Sequence, residues 1–237
     1  MNLKIFIINL DEDTERYERT CQNLISSGFQ KSHFIRVAGI KEKFGMIGCA
    51  MSHVKALEIA KSHTSISHFI ILEDDFNFSL SKNTITMILR NLCKLDLPWN
   101  VWQLYASRAI SRKMGVLNFN QNIQIDLLKI IASDCCAAYL VKREFLNTLQ
   151  DSFSKGLKVF EANKNYYINK SLFLMHREKY STDQVWKELQ GLGNFIGVDC
   201  EVGRLRETYS HLKKKVRKYS DGSYPNFLGM NKFPFGK

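Results

Sequence analysis

The segment that most constrains the fold is residues 68–76, in which an apolar run leads directly into Glu73, Asp74 and Asp75. A short apolar run of this kind is typical of a strand that is buried on both faces. Side chains alternate between the two faces of a strand, so Glu73 and Asp75 point to the same side if the extended backbone continues that far. The sequence therefore predicts a central strand that ends in a cluster of carboxylates.

These consecutive carboxylates need a partner, because carboxylates that lie close together repel one another unless a cation or hydrogen-bond donors offset the repulsion. Mn2+ and Mg2+ prefer oxygen ligands and use one or two carboxylates together with substrate phosphates. Glu73 and Asp75 are therefore the predicted ligands of a divalent metal. The alternative is an acidic turn after a core strand, with its charges hydrated, and the spacing alone leaves both interpretations open.

Strands and helices alternate along the first half of the chain, which predicts a layered α/β domain. Gly48 predicts a loop, and His53 lies near the start of the helix after it, where a lone histidine is more often packed or capping than a ligand. The basic segment at residues 108–113 is predicted to form a loop. The predicted strands are residues 3–10, 34–38, 68–72, 97–106, 130–141, 170–177 and 195–198, and the predicted helices are residues 15–25, 52–60, 84–95, 143–153 and 182–189.

The charge balance predicts an anionic partner. Lys and Arg outnumber Asp and Glu by 34 to 23 in 237 residues, which gives a formal net charge of +11. Such a charge suits nucleotide phosphates, nucleic acid or an anionic membrane surface. Basic residues are dense after residue 203, so we divide the chain into a domain at 1–203 and a basic, aromatic extension at 204–237 that would lie against a membrane.

The cysteines and the start of the chain predict the compartment. The six cysteines show no Cys-x-x-Cys spacing and read as buried, reduced thiols. The chain opens on a predicted strand rather than on a basic segment followed by an apolar stretch and a cleavage site. No apolar run approaches the roughly 18 residues of a membrane-spanning helix. We therefore expect a cytoplasmic protein that lies peripherally on the inner face of the membrane.

Four short segments follow one another in an order that is more specific than any one of them. They are residues 7–10 (Ile-Ile-Asn-Leu) with Arg16 following, residues 45–53 (Gly-Met-Ile-Gly-Cys-Ala-Met-Ser-His), residues 72–75 (Leu-Glu-Asp-Asp), and Asp183 with the later Arg204 and Ser210. In this order they resemble the motifs of glycosyltransferase family 25, the family of lipooligosaccharide and collagen galactosyltransferases. The resemblance covers about the first 80 residues well and the region from residue 132 onward loosely.

The resemblance implies a GT-A fold, a Rossmann-like α/β/α sandwich with a mixed, mostly parallel sheet. It implies an inverting transferase that moves a sugar, usually galactose, from a UDP-sugar donor with the help of Mn2+ or Mg2+. Asp183 is then the catalytic base that takes the acceptor hydroxyl's proton, and Arg204 and Ser210 also lie on the acceptor side. The residues implied for the metal are Glu73 and Asp75, and those implied for the donor are Asn9, Leu10, Arg16, Ser52, His53, Glu73 and Asp74.

Other functions stay open at this point. The acceptor is an oligosaccharide or glycolipid of lipooligosaccharide or lipopolysaccharide synthesis, or alternatively a collagen-type hydroxylysine. A metal-dependent phosphodiesterase or nuclease also uses grouped carboxylates, and a noncatalytic scaffold is a further alternative. We expect no nucleic acid as a partner, because no binding module appears and an acid cluster repels phosphates. Asp134 and Asp199 are the next candidates for the base.

Overall fold

The computed structural model describes residues 2–94, 98–120, 123–206, 209–210 and 215–216. The helices within these ranges are α1 (Thr14–Ser26), α2 (Gly45–Ser62), α3 (Lys82–Lys94), α4 (Leu146–Asn163), α5 (Lys170–Tyr180) and α6 (Thr182–Leu192). The strands are β1 (Leu3–Asn9), β2 (Phe34–Ala38), β3 (His68–Glu73), β4 (Phe76–Phe78), β5 (Val101–Gln103), β6 (Ser107–Asn120), β7 (Ile123–Asp134), β8 (Ala138–Lys142), β9 (Phe195–Val198), β10 (Gly203–Leu205), β11 (Tyr209–Ser210) and β12 (Lys215–Val216).

A single large sheet runs through the molecule, with strand order β2-β1-β3-β8-β5-β9-β7-β6. β1 pairs in parallel with β2 and β3, and β5 pairs in parallel with β9, whereas β8 and β7 are antiparallel to their neighbours. Six of the eight strands therefore run in the same direction. The described sheet is mixed and mostly parallel, as predicted. Two small antiparallel pairs, β4 with β10 and β11 with β12, lie apart from it.

Helices cover both faces of this sheet. Ile5 and Ile7 on β1 face one core, where they pack with side chains of α1 and α3. Phe6, between them in sequence, faces the opposite core with side chains of α2, α4 and α6. Each buried side chain of this size stabilises the fold by roughly 1.5–3 kcal/mol. A strand with two buried faces reads as a continuous apolar run, and the predicted α/β/α sandwich is confirmed.

The predicted loop at Gly48 is wrong, because α2 begins at Gly45 and continues through this residue. A Cβ atom on Gly48 would lie 2.2 Å from the carbonyl oxygen of Ile40. The glycine therefore allows the segment before α2 to approach the helix closely, and it does not break the helix. As a consequence His53 lies in the third turn of α2, and not near its start.

The predicted loop at residues 108–113 and the single strand at residues 130–141 are also wrong. The basic residues belong to the long strand β6, which pairs with β7. Residues 130–141 form the end of β7 and all of β8 except its last residue, separated by a turn in which Cys135 has a φ of 74°. The strand predicted for residues 97–106 is shorter in the structure and comprises only β5.

The strand predicted at residues 170–177 is wrong, because these residues form α5. Asn169 begins this helix, and its side-chain oxygen accepts hydrogen bonds from the backbone N–H groups of Ser171 and Leu172. Asparagine is among the preferred residues at this position because it satisfies N–H groups that have no partner within the helix. Asn169 was therefore the residue in the sequence that could have indicated a helix instead of a strand at residues 170–177.

The carboxyl ends of β1 and β3 lie side by side, since Ile8 pairs with Glu73 and the beginning of β8 adjoins Leu72. Open α/β sheets commonly bind ligands at this edge. No helix within the described ranges is long and apolar enough to cross a membrane. The predicted boundary after residue 203 falls inside β10, and most of the extension lies outside the described residues, so this division stays a prediction.

Candidate functional site

The acidic segment does not continue as a strand. β3 ends at Glu73, Asp74 and Asp75 form a turn, and β4 begins at Phe76. The strict alternation that would place Glu73 and Asp75 on one side therefore stops before Asp75. Glu73 contacts α2, whereas Asp74 and Asp75 are 5% and 4% exposed beside α1. The carboxylates serve two different clusters.

Asp74 belongs to a buried hydrogen-bonded group with two of the residues predicted to bind the donor. Arg16 donates a hydrogen bond to Asp74 Oδ1, and Asn9 Nδ2 donates one to Asp74 Oδ2 at 2.7 Å. Burial raises the pKa of Asp74, and the charge of Arg16 opposes that shift. Asp75 Oδ2 lies 3.8 Å from Arg16 Nη2. These residues hold α1 against the ends of β1 and β3.

Arg206 joins the same cluster from the far end of the chain. Its guanidinium donates hydrogen bonds to the backbone oxygen of Asp74 and to Thr20 Oγ1, the latter at 2.8 Å. Its backbone N–H donates to the carbonyl oxygen of Asp75 at 2.7 Å. Burial lowers the pKa of Arg206 from its usual value. This arginine therefore fixes the conformation of the acidic turn.

Two further predicted donor residues, Ser52 and Leu10, support local structure. The Ser52 hydroxyl donates to the carbonyl oxygen of Gly48 at 2.6 Å and accepts from the N–H of Ile40 at 2.8 Å. Ser52 thereby holds the segment after β2 against α2. Leu10 is half-buried at the end of β1, where its side chain lies against Gly39.

Glu73 faces a second cluster, formed with two residues of α2. Glu73 Oε1 lies 3.5 Å from His53 Nε2 and 3.8 Å from Cys49 Sγ. Cys49 and His53 share one face of α2 because four residues separate them. Among the described residues, these three side chains form a group whose potential metal-binding atoms all lie within 4.8 Å of one another. Asp75 is not a member of that group.

The surroundings of His53 are dry and ordered. Its ring is fully buried, stacks on Tyr139 and meets Phe153 edge to face. Nδ1 lies 3.2 Å from the Tyr139 hydroxyl, and Nε2 lies 3.8 Å from Cys136 Sγ. Burial raises the pKa of the Cys49 thiol well above its usual value, and the charge of Glu73 adds to that effect. The cluster therefore combines two thiols, an imidazole and a carboxylate in an apolar setting.

Asp183 lies in the first turn of α6 and is half-buried. The Ser181 hydroxyl donates a hydrogen bond to Asp183 Oδ1 at 2.7 Å. After burial and Glu73, the charge of Asp183 is a further cause that raises the pKa of the Cys49 thiol. The Asp183 carboxylate, on α6, thus acts electrostatically on the same cluster as Glu73, which lies on β3.

The two alternative bases are engaged elsewhere. Asp134 is buried and forms ion pairs with Arg108 and with Lys187, the latter at 2.5 Å. Asp199 Oδ1 accepts a hydrogen bond from the backbone N–H of Asp126 at 2.8 Å. Both carboxylates are engaged in contacts that link elements of the fold, so Asp183 remains the preferred candidate for the base.

The other predicted acceptor residues are not brought to these clusters by any described contact. Arg204 is exposed on β10, where its backbone pairs with Asn77. Ser210 lies in β11, paired with Lys215, and its side chain falls outside the described structure. Their roles, like those of the donor residues, stay predictions.

Sequence reasoning missed four residues of the two clusters. The spacing of Cys49 and His53 on a helix was visible and could have signalled that the two side chains lie together. Cys136, Tyr139 and Arg206 reach the site from distant parts of the chain, and no local pattern marks them. All six cysteines are free, but only Cys136 and Cys200 are buried as predicted, whereas Cys21, Cys49 and Cys135 are partly buried and Cys93 is exposed.

Comparison with known proteins gives no family. No protein-family model matches the sequence, and no curated protein matches it. A glycosyltransferase involved in the glycosylation of the major capsid of PBCV-1 is similar with a TM-score of 0.40 and 10% identity, over 65% of this chain and 66% of that one. A197 from STIV is similar with a TM-score of 0.44 and 10% identity, over 91% and 93%. Likenesses this low bear neither on family nor on activity.

Proposed function

We propose that the protein is a GT-A glycosyltransferase that transfers a sugar from a nucleotide-sugar donor to a saccharide acceptor. The observation that carries this proposal is the position of Glu73, at the shared carboxyl end of two parallel strands, with His53 and Cys49 beside it. Nucleotide ligands bind outside this end of open α/β sheets. A net charge of +11 favours a donor that carries a diphosphate.

The finer assignment rests on the resemblance to glycosyltransferase family 25. It gives UDP-galactose as the donor, inversion at the anomeric carbon, and an acceptor in lipooligosaccharide or lipopolysaccharide synthesis. A collagen-type hydroxylysine is the alternative acceptor. The basic extension at 204–237 would hold the enzyme at an anionic membrane that carries the acceptor, since each Lys or Arg near such a surface contributes about 1 kcal/mol.

The Mn2+ ion that the resemblance implies does not match well the side-chain atoms that would coordinate it. Mn2+ prefers oxygen ligands, whereas Glu73 lies in a group with a thiol and an imidazole, to which Asp75 does not belong. Asp74 lies between Glu73 and Asp75 in the sequence. Both of its carboxylate oxygens already accept hydrogen bonds from protein groups. Mn2+ held by Glu73 and Asp75 therefore stays a prediction, and no step of the transfer is assigned to it.

The proposed base is Asp183. A single displacement with inversion needs a group that takes the proton of the acceptor hydroxyl, and a carboxylate within hydrogen-bond reach can do so. The hydrogen bond from Ser181 fixes the orientation of the Asp183 carboxylate and leaves its second oxygen for the acceptor. The half-buried position allows a substrate to reach it.

The experiment incubates the protein with UDP-galactose and saccharide acceptors and measures release of UDP. Asp183→Asn is expected to lower the turnover by roughly a hundredfold or more, with UDP affinity and melting temperature nearly unchanged. Glu188→Gln is the matched control, because Glu188 lies on the same helix, exposed and paired with Lys155, and its loss should leave turnover unchanged.

One result would contradict the assignment of the base, and two others would contradict the transferase itself. Near-normal turnover in Asp183→Asn removes this residue as the base but leaves the transferase intact. Cleavage of nucleic acid or of a phosphodiester, without release of UDP from any UDP-sugar, would instead favour the metal-dependent phosphodiesterase. UDP binding without any turnover would favour a noncatalytic role.

A further inference from the structure

We propose that Cys49, His53 and Glu73 form a binding site for Zn2+ or a similarly soft divalent ion. The three side chains supply a sulfur, a nitrogen and an oxygen atom, all within 4.8 Å of one another. Sulfur and imidazole ligands select zinc over the harder ions Mg2+ and Mn2+. This inference does not depend on the transfer reaction, because it concerns only what the cluster binds.

The separations between the side-chain atoms match those around a tetrahedral ion. With Zn–S near 2.3 Å and Zn–N near 2.0–2.1 Å, neighbouring ligand atoms lie about 3.3–3.8 Å apart. Glu73 Oε1 lies 3.5 Å from His53 Nε2 and 3.8 Å from Cys49 Sγ. The third separation, between Cys49 Sγ and the His53 ring nitrogen, is at most 4.8 Å.

The imidazole is already oriented for coordination. His53 is fully buried on α2, and its Nδ1 atom contacts the Tyr139 hydroxyl at 3.2 Å. Histidines that bind metals generally use the other ring nitrogen in a hydrogen bond of this kind, which fixes the ring and the tautomer. In the tautomer in which Nδ1–H donates to the Tyr139 hydroxyl, Nε2 would present its lone pair towards Glu73.

Burial makes an ion at this position favourable for the protein. The His53 side chain is 1% exposed and the Glu73 side chain 23%, so a divalent ion would add a counter-charge to a carboxylate that has limited access to water. A divalent ion would bind the thiolate form of Cys49, and coordination releases the proton that the buried thiol holds without metal. The fold therefore provides the three ligands in a partly buried setting.

Cys136 is a further thiol beside His53, although it lies outside the group of three ligand atoms. Its sulfur lies 3.8 Å from His53 Nε2, and the residue is 4% exposed in the turn before β8. Four protein ligands are typical of a structural zinc, whereas three protein ligands leave an open position for water or substrate. The response of Cys136→Ala distinguishes these two forms of the site.

The test uses the full chain and the metal ions alone. Purified protein, stripped with a chelator, is titrated with Co2+, whose thiolate bonds give a near-ultraviolet charge-transfer band and whose tetrahedral complexes absorb strongly in the visible. Zn2+ is then added to displace Co2+, and Mn2+ is titrated separately. We expect one Co2+ per chain, a thiolate band, and displacement by Zn2+ but not by Mn2+ at equal concentration.

Two variants are expected to lose the site, and one is expected to keep it. Cys49→Ala and Glu73→Gln should weaken Zn2+ binding by more than roughly a hundredfold, because the loss of outer partners alone weakens metal sites by about 10- to 100-fold. Cys93→Ser should bind like the parent, since Cys93 is exposed on α3. Circular dichroism of each apo variant checks that the fold is retained.

Several results would overturn the proposal. These are the absence of a thiolate band, a band that disappears in Cys93→Ser, and Zn2+ affinity that is equal in the parent and in folded Cys49→Ala. Each would mean that the cluster is a hydrogen-bonded part of the core or that the ion binds elsewhere. UDP release is measured separately, so a failed metal site and a failed transferase give different results.

Discussion

The Nδ1 atom of His53 lies 3.2 Å from the hydroxyl oxygen of Tyr139, and the two rings stack with their centroids 5.9 Å apart. This contact joins the middle of α2 to strand β8 of the large sheet. It also fixes which nitrogen of His53 faces Glu73 and Cys136. The orientation of the imidazole is therefore set by a residue that was not predicted to belong to the site.

Tyr139→Phe is expected to reduce Zn2+ affinity by roughly 10- to 100-fold, because the ring loses the hydrogen bond that orients it. The same change should lower the free energy of unfolding by about 1 kcal/mol. Competition with a chromogenic chelator measures the affinity, and urea unfolding measures the stability.

Tyr167→Phe is the matched control, because the Tyr167 hydroxyl forms a similar hydrogen bond with His176 Nδ1 at 2.9 Å, within a separate core. It should lose similar stability and keep full Zn2+ affinity. Equal affinities in the two variants would show that Tyr139 does not orient a ligand.

Gly48→Ala is expected to destabilise the protein by about 1–3 kcal/mol, because the new Cβ would lie 2.2 Å from the Ile40 carbonyl oxygen. Alanine is the better helix former by about 1 kcal/mol, but a backbone atom cannot move aside as a flexible side chain can. Thermal or urea unfolding gives the difference.

Gly191→Ala in α6 provides the opposite case. Nothing lies within 4 Å of the Cβ that alanine would add there, so only the gain in helix propensity applies. Stability should stay equal or rise by less than about 1 kcal/mol. If both variants change stability in the same direction, the close approach at Gly48 is not the reason for this glycine.

The large sheet could be predicted where the chain carries its own signal. β1 and β3 are short apolar runs with both faces buried, and β2 is a short, mostly apolar strand at the edge of the sheet. The patterns of these strands do not depend on distant residues. α5 was mistaken for a strand because its single buried residue, His176, gives no helical pattern. β6 was mistaken for a loop because its basic side chains are partly exposed along a two-stranded extension of the sheet.

The candidate site could be predicted only in part for a similar reason. The acidic segment was found because Glu73, Asp74 and Asp75 are consecutive. Their separation into two clusters depends on a turn after Glu73 and on Arg206, which lies 132 residues after Asp74. Contacts across such sequence distances follow from the tertiary structure, and no local pattern encodes them.

The buried pair of Arg16 and Asp74 gives a third prediction. Arg16→Ala is expected to lower the free energy of unfolding by about 3–5 kcal/mol, because it leaves a buried carboxylate without its main counter-charge. Combining Arg16→Ala with Asp74→Asn should cost less than the sum of the two single changes. Urea unfolding of the four proteins measures this coupling.

Arg19 and Glu15 on the same helix are the matched control, because they form an ion pair whose side chains are 65% and 76% exposed. Removal of Arg19 should cost about 1 kcal/mol or less. A similar loss for Arg16→Ala would mean that water reaches Asp74 and that burial does not control this pair.

The last prediction concerns His68, at the beginning of β3 and at the opposite end of that strand from Glu73. Burial lowers the pKa of His68 below 6.5, the charge of Lys142 lowers it further, and Glu144 opposes both. Nδ1 contacts the Ser67 hydroxyl at 2.8 Å, whereas Nε2 is buried without a hydrogen-bond partner. Protonation would therefore place an N–H group without a partner and a positive charge that Glu144 compensates only in part at this position.

The sign of the pH dependence follows from this direction. In the pH range between the lowered pKa of the folded state and 6.5, the unfolded chain binds more protons at this position than the folded chain does. The stability that the neutral ring allows is thus present above pH 6.5 and is lost as the pH falls through that range. His68→Asn removes the titrating group and should lose less stability between pH 7.5 and 5.5 than the parent, by urea unfolding at each pH. Lys142→Met should shift the His68 pKa upward in an NMR titration, and a difference between parent and His68→Asn that does not change with pH would contradict the assignment.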